Sequence, residues 1–206
     1  MKSAMKFLSC GAMLFLFLLN SCASSKITGE WKDPEQGGKK YSHILVIGVA
    51  KQPDRREFYE DEFARQLTRQ GVMAIASHTI IPRDKMQDKD AIVKSIEGLH
   101  VDGVLVTRLQ GLKQQQQANY GKTYQVPYGY YNNMYDYYDN SISSAPTISY
   151  AETHEYLQLE SNLYDAETEK LVYTITTDTF IRQKFQSRIT AYIETVVRQL
   201  KGNKLL

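Results

Sequence analysis

Cysteine is scarce in this chain, and neither sign of charge predominates. The 206 residues include 2 Cys, 5 Pro and 1 Trp, with 25 Lys and Arg against 23 Asp and Glu. Two cysteines exclude a disulfide-rich scaffold and a zinc site built from cysteines. A net charge of +2 lacks the concentrated basic surface that nucleic-acid binding usually needs. The remaining composition, 42% hydrophobic and 23% charged, is that of a globular protein, and the length suits one domain.

Residues 1–21 have the features of a secretory signal peptide. Lys2 and Lys6 flank the start of an apolar stretch that runs from Phe7 to Leu19. As a helix this stretch spans about 20 Å, which is well short of the roughly 30 Å hydrocarbon core of a bilayer. A basic start followed by a short apolar stretch is typical of a signal peptide.

The end of this stretch, Leu19-Asn20-Ser21-Cys22, resembles the lipoprotein box of bacterial lipoproteins. The resemblance implies a thioether-linked diacylglycerol on Cys22, cleavage before it, and a fatty acyl group such as palmitate on the new amino group. Ala23 and Ser24 are not the acidic residues that retain such proteins in the inner membrane of enteric bacteria. We therefore expect a lipid anchor in the outer membrane, on its periplasmic face. A plain signal peptide with an incidental Cys22 is the alternative.

Processing would remove Lys2, Lys6 and Cys10, leaving 23 basic and 23 acidic residues. This balance indicates neither nucleic acid nor an anionic lipid surface as a partner. Residues 22–42 are predicted to be a lipidated N-terminus and tether, because they hold Ser, Gly and Lys and few apolar groups. Twenty tether residues would reach about 70 Å.

Residues 43–202 are predicted to form a single α/β domain. Ile44–Val49 is a continuous apolar run, as in a strand buried on both faces. Residues 54–70 carry an apolar stripe at four-residue spacing, which predicts a helix. Further elements are a strand over Val72–Ile81, a helix capped by Asp88 or Asp90, and a strand over Val104–Thr107. The order β-α-β-α-β favours a single sheet with a mostly parallel core, flanked by helices.

The C-terminal part is predicted to be a β-hairpin and a helix. Residues 152–164 and 171–181 alternate like strands on either side of a polar turn. The final helix ends at Gly202 and has apolar residues at helical spacing. These are Ile189, Tyr192, Ile193, Val196, Val197 and Leu200.

Between these parts, residues 110–150 are predicted to be a long insertion loop rich in tyrosine. Tyrosine rings give flat amphipathic contact area with few rotatable bonds, which suits recognition of proteins or glycans. The candidate binding residues are Tyr128, Tyr130, Tyr131, Tyr135, Tyr137 and Tyr138. A low-complexity loop that tolerates sequence drift is the alternative.

Catalytic and metal-binding patterns are weak in the sequence. No histidine has metal-ligand spacing, and the turn after Ile44–Val49 has too few glycines for a phosphate-binding loop. Arg55 and Arg56, near a helix start, are candidates for anion binding. The acidic residues that follow them are interpreted as favourable charges at a helix N-terminus. We therefore expect no catalytic residue, no cofactor and no metal.

Several short strings resemble a group of uncharacterised bacterial lipoproteins. They are Trp31-Lys32-Asp33-Pro34, Ile44–Val49, Arg55-Arg56 with Phe58–Phe63, Asp102–Thr107 and Asn162-Leu163-Tyr164-Asp165. The order of elements is also similar to the periplasmic domain of the curli-secretion lipoprotein and to the amino-terminal domain of TolB. The resemblance implies a binding and assembly module without an active site. The tyrosine-rich insertion departs from this group.

The function predicted from the sequence is that of a non-enzymatic envelope lipoprotein. Its partners would be the bilayer, through acylated Cys22, and an envelope protein. An oligomer of this chain is compatible with the prediction. An envelope hydrolase is one alternative, with its site near residues 50–56 and 107–112, where parallel strands end. A secretion-pore subunit, whose tyrosine-rich loop enters the outer membrane, is another.

Overall fold

One six-stranded sheet organises the protein. A computed structural model describes residues 25–86, 88–113, 133–135, 137, 156–180 and 184–206. The strands are β1 (Ser25–Lys32), β2 (His43–Val49), β3 (Met73–Ala76), β4 (Gly103–Lys113), β5 (Tyr156–Asp165) and β6 (Leu171–Phe180). The helices are α1 (Pro53–Thr68), α2 (Lys89–Ile96) and α3 (Phe185–Gly202).

The strand order is β1-β6-β5-β4-β2-β3. Strand β2 pairs in parallel with both β3 and β4, whereas β4, β5, β6 and β1 follow one another antiparallel. The predicted fold class, an α/β arrangement with a single sheet flanked by helices, is confirmed. The predicted hairpin and C-terminal helix correspond to β5, β6 and α3 within a few residues.

Each face of the sheet has its own hydrophobic core, because alternate residues of β2 point to opposite faces. Ile44 and Val46 pack in the core beneath α1 and α3, together with Phe63. Leu45 and Ile47 pack in the other core, where α2 lies. Burial on both faces explains why β2 is an uninterrupted apolar run.

Strand β3 is shorter than the predicted Val72–Ile81, because the residues after Ala76 form hydrogen bonds to the buried Glu60 carboxylate and not to a neighbouring strand. After Ala76 the chain forms a 3₁₀ turn over Ser77–Thr79. The Ser77 hydroxyl and the His78 amide both donate to Glu60 of α1, at 2.7 and 2.6 Å. Strand β4 is longer than the predicted Val104–Thr107. It extends to Lys113, so the predicted loop 110–150 begins with residues that pair with β5.

The predicted tether is wrong for residues 25–32, which form β1. This strand pairs with β6 from Ser25 opposite Thr179 to Lys32 opposite Tyr173. The Ser25 and Thr179 hydroxyls are 2.8 Å apart and buried. Pattern analysis missed the strand because most of its side chains are polar and a bulge near Gly29 interrupts the alternation. The folded domain therefore begins at Ser25 at the latest.

Asp165 joins the β5–β6 turn to the segment that precedes β2. One carboxylate oxygen accepts hydrogen bonds from the amides of Glu167 and Thr168, and the other accepts from Lys39 Nζ at 2.6 Å and Tyr41 Oη at 3.1 Å. Burial of Asp165 acts to raise its pKa. The hydrogen bonds from Lys39 and Thr168 outweigh this effect and lower the pKa to about 2.

We expect Asp165→Asn to remove a component of stability that depends on pH. A carboxyl whose pKa is lower in the folded state stabilises the fold above its unfolded pKa, near 3.9, and loses that effect as the pH falls towards 2. The substitution should therefore cost on the order of 2 kcal/mol at pH 7 and little at pH 2. Urea unfolding at both pH values measures the difference. Asp84→Asn, at an exposed position, is the control. Equal losses for Asp165→Asn at both pH values would contradict the prediction.

Candidate functional site

An apolar cavity of about 110 Å³ lies at the end of β2, where its parallel pairing with β4 stops at Val49 opposite Arg108. We call it the apolar cavity. Its walls are mainly aliphatic and aromatic side chains from β2, β4, β5 and the first turns of α3: Val49, Leu109, Leu157, Leu159, Phe185 and Ile189. The carboxyl ends of parallel strands are where open α/β sheets usually bind ligands. Parts of both segments predicted for a hydrolase site, 50–56 and 107–112, line this cavity, namely 50–52 and 55 from the first and 107–109 from the second.

A chain of hydrogen-bonded hydroxyl groups runs from the cavity wall, which includes Tyr59 and Thr107, into the core behind it. Tyr59 Oη donates to Thr107 Oγ1 at 2.6 Å, Thr107 is bonded to Ser161, and Ser161 Oγ lies 2.5 Å from Tyr192 Oη. Burial raises the pKa of both tyrosines well above the usual value, so they stay neutral. Because the hydroxyls pair among themselves, the wall presents mostly hydrocarbon to the cavity.

Three cations are among the described residues that line the apolar cavity: Lys51 and Arg55 at its mouth, and Arg108, whose guanidinium is paired with Glu160 at 2.9 Å. Lys51 is exposed in the β2–α1 loop, and Arg55 is half-buried in the first turn of α1. The Arg55 guanidinium lies 5.2 Å from the centre of the Phe185 ring, within cation–π range. Among the described residues that line this cavity, none carries a carboxylate. The formal charge summed over these described lining residues is therefore positive.

A second, polar cavity of about 650 Å³ lies on the other side of residues 48–51. Its lining includes cations and acids, among them Arg83, Glu57 and Asp84. His78 also lines it, and His78 Nε2 is 2.7 Å from Asp61 Oδ1. Opposite charges are thus mixed in the polar cavity, in contrast to the apolar one.

Arg56 is not an anion-binding residue, and this part of the prediction is wrong. Its side chain is buried and donates to Glu60 Oε1 at 2.8 Å and to Ser77 Oγ at 2.9 Å. Glu60 is 0% exposed and also accepts from the amides of Gly48 and His78. This carboxylate therefore links α1 to the ends of β2 and β3, rather than serving as a surface charge at a helix N-terminus.

Tyr137 is a core residue, which corrects its prediction as a binding residue. It is fully buried, and its hydroxyl donates to Glu160 Oε2 at 2.7 Å. Glu160 also accepts from Arg108 and Gln110. Burial and the Glu160 charge raise the Tyr137 pKa. Tyr135 is half-buried, and burial raises its pKa to about 12.

The other candidate residues lie outside the described part of the chain. They are the lipidation site Cys22 and the tyrosines Tyr128, Tyr130, Tyr131 and Tyr138. Within the described ranges, no three His, Cys, Asp or Glu side chains are grouped to hold a metal ion. No helix in those ranges is long and apolar enough to span a membrane.

The sequence indicated the place of the cavity only through the hydrolase alternative, and neither its apolar lining nor the hydroxyl chain was predicted. Thr107 and Ser161 come from different strands, and their adjacency follows from the β4–β5 register. Tyr192 belongs to the apolar stripe of α3 and looks like an ordinary core residue in the sequence. No local motif therefore signals the cavity.

Comparison with solved structures finds distant matches. A scan against protein-family models and a search of curated protein sequences find no match. Two solved structures of PelC dodecamers from Paraburkholderia phytofirmans are similar, one of them a variant with a single substitution. They share 12% and 13% identity with this chain, with TM-scores of 0.46 and 0.42, and each match covers 85% of this chain and 96% of the other. PelC is a different protein from the curli-secretion lipoprotein and from TolB. At these values the likeness assigns neither a function nor an oligomeric state to this chain.

Proposed function

We propose that this protein is a non-enzymatic binding or assembly module of the bacterial cell envelope. A lipid on Cys22 anchors it to the periplasmic face of the outer membrane, and the α/β domain binds a partner there. The observation that carries the binding role is the apolar cavity at the end of β2. The Tyr59 and Thr107 hydroxyls in its wall are hydrogen-bonded to each other, which favours binding of an apolar group over acid–base chemistry at this place.

The position of β1 shortens the distance between the anchor and the domain. Ser25 is already hydrogen-bonded in the sheet, and only two residues separate it from Cys22. The Cα atoms of Cys22 and Ser25 are at most about 11 Å apart, compared with the 70 Å reach expected of a long tether. The proposed module therefore works at the membrane surface and does not extend across the periplasm.

Cys22→Ala is expected to abolish both lipid attachment and processing. The wild-type chain should begin at Cys22, carry a diacylglyceryl thioether and an N-acyl chain, and sediment with the outer membrane. The Cys22→Ala chain should retain residues 1–21 and be missing from that fraction, because both steps act on the Cys22 thiol. Mass spectrometry of the N-terminal peptide and membrane fractionation measure these outcomes.

Cys10→Ala, within the signal peptide, is the matched control and should behave as wild type. Normal cleavage of Cys22→Ala would contradict the proposal and establish a plain signal peptide. The envelope hydrolase and the secretion-pore subunit stay predictions. A hydrolase would more readily use the polar cavity, where His78 and Asp61 are hydrogen-bonded.

A further inference from the structure

The sheet register places the start of β1 at the same edge as the apolar cavity. Ser25 pairs with Thr179 of β6, and Thr179 pairs with Leu157 of β5. Leu157 is itself part of the cavity wall. Two strand spacings of about 4.8 Å separate Ser25 from Leu157, or roughly 10 Å across the sheet. A membrane anchor on Cys22 would therefore hold the cavity edge of the domain against the bilayer.

The size and lining of the cavity suit the end of a hydrocarbon chain. Its volume, about 110 Å³, is somewhat smaller than the roughly 150 Å³ of an apolar cavity that holds benzene. Space of this size takes a few carbons of an acyl chain and not a whole lipid. The rest of such a lipid would stay outside the cavity, where its headgroup would meet the charges at the mouth.

The charges at the mouth favour an anionic headgroup. Lys51 and Arg55 stand there, and no described lining residue carries a carboxylate. A third lining cation, Arg108, is paired with Glu160. A phosphate is a good partner for both lysine and arginine side chains. The predicted mature chain has no net charge, so this attraction would be local to the cavity mouth.

We propose that the apolar cavity binds the end of one acyl chain of an anionic phospholipid in the bilayer that holds the Cys22 anchor, with Lys51 and Arg55 contacting the lipid phosphate. This inference rests on the proposed function for the position of the bilayer. The bound phospholipid is a second contact between the domain and the membrane, in addition to the Cys22 anchor. Two contacts fix the orientation of the domain on the membrane surface.

Photocrosslinking in nanodiscs tests the proposal. The full processed lipoprotein is reconstituted with phosphatidylglycerol that carries a diazirine near the end of one acyl chain, and the labelled peptides are mapped after irradiation. Label should concentrate on the peptides that contain Leu157, Leu159 and Ile189. Phosphatidylcholine with the same chain should label these peptides about threefold less, as expected from the loss of exposed charge interactions.

Leu109→Trp fills the cavity from β4 and should reduce cavity labelling roughly fivefold, the effect of losing burial of one or two methylenes. Leu112→Trp is the matched control, since Leu112 is also half-buried in β4 but does not line the cavity. Lys51→Gln with Arg55→Gln should abolish the preference for phosphatidylglycerol, whereas Lys85→Gln with Lys94→Gln should keep it. Circular dichroism verifies that each variant is folded.

Three results would each overturn the proposal. They are label confined to peptides outside the cavity, equal labelling of wild type and Leu109→Trp, and labelling by a photoreactive free fatty acid but not by the phospholipid. The Cys22→Ala chain, labelled in detergent micelles with the same phosphatidylglycerol, separates this test from that of the anchor. Labelling of the cavity in this chain would support the lipid site independently of any lipid on Cys22. Failure to label the cavity would count against the lipid site and would leave the proposed anchor on Cys22 unaffected.

Discussion

Glu60→Gln is expected to lower the free energy of unfolding by about 3 to 5 kcal/mol, the range measured when one partner of a buried ion pair is removed. The Glu60 carboxylate is fully buried and accepts four hydrogen bonds, from Gly48, Arg56, Ser77 and His78. The amide of glutamine removes the charge that compensates Arg56 and turns one acceptor into a donor. Urea unfolding of the purified proteins measures this change in the free energy of unfolding. Equal slopes of the free energy against urea concentration show that the variants expose the same surface on unfolding.

Two further variants make this result specific. Glu57→Gln, one turn earlier and exposed, should change the free energy by no more than about 0.5 kcal/mol. Combining Glu60→Gln with Arg56→Met should recover part of the loss, because the unpaired buried cation is then absent. A loss below about 1 kcal/mol for Glu60→Gln would show that the pair is not the buried link between α1, β2 and β3.

Ser161→Ala is expected to cost about 1 to 3 kcal/mol, because it removes the hydrogen bond between Ser161 and the buried Tyr192 hydroxyl, whereas Thr107 keeps its hydrogen bond from Tyr59. Ser161 stands in the middle of the hydroxyl chain, between Thr107 and Tyr192, and is fully buried. The loss should exceed what removal of a single oxygen from the surface would give. Thermal and urea unfolding measure it.

Ser187→Ala is the matched control, since Ser187 is exposed in the first turn of α3 and should change stability by about 0.5 kcal/mol or less. Adding Thr107→Val to Ser161→Ala should cost less than the sum of the two single changes, because each single change already removes the hydrogen bond between Thr107 and Ser161. Additive losses would mean that the two hydroxyls do not depend on each other.

The alternating and apolar patterns were sufficient to predict most of the fold. Ile44–Val49 predicted a strand buried on both faces, and it has a core on each face. The stripe that includes Ile193 predicted α3, because its spacing follows the helical repeat. Strand β1 has no such pattern. Its pairing with β6 depends on neighbours more than 140 positions away in the chain, and no local window contains them.

The candidate site was less predictable, because its groups acquire their roles through burial. Arg56 and Glu60 are spaced like an ordinary surface pair on a helix. They become a buried link only because Ser77 folds over them at the end of β3. Tyr137 is one of many tyrosines in its segment. The feature that gives it a core role is its contact with Glu160, a carboxylate that lies 23 positions further along the chain.

The pairing of β1 with β6 would also constrain the order of folding during the proposed export. Ser25 and its hydrogen-bonded partner Thr179 lie 154 positions apart. A chain that crosses a membrane from its N-terminus delivers β1 first and β6 nearly last, so the first strand waits without its partner while the rest emerges. Contacts of such long range form slowly, and an unpaired strand edge favours aggregation. Acylation close to β1 would keep this waiting segment at a membrane surface, apart from other unfolded chains, until β6 arrives.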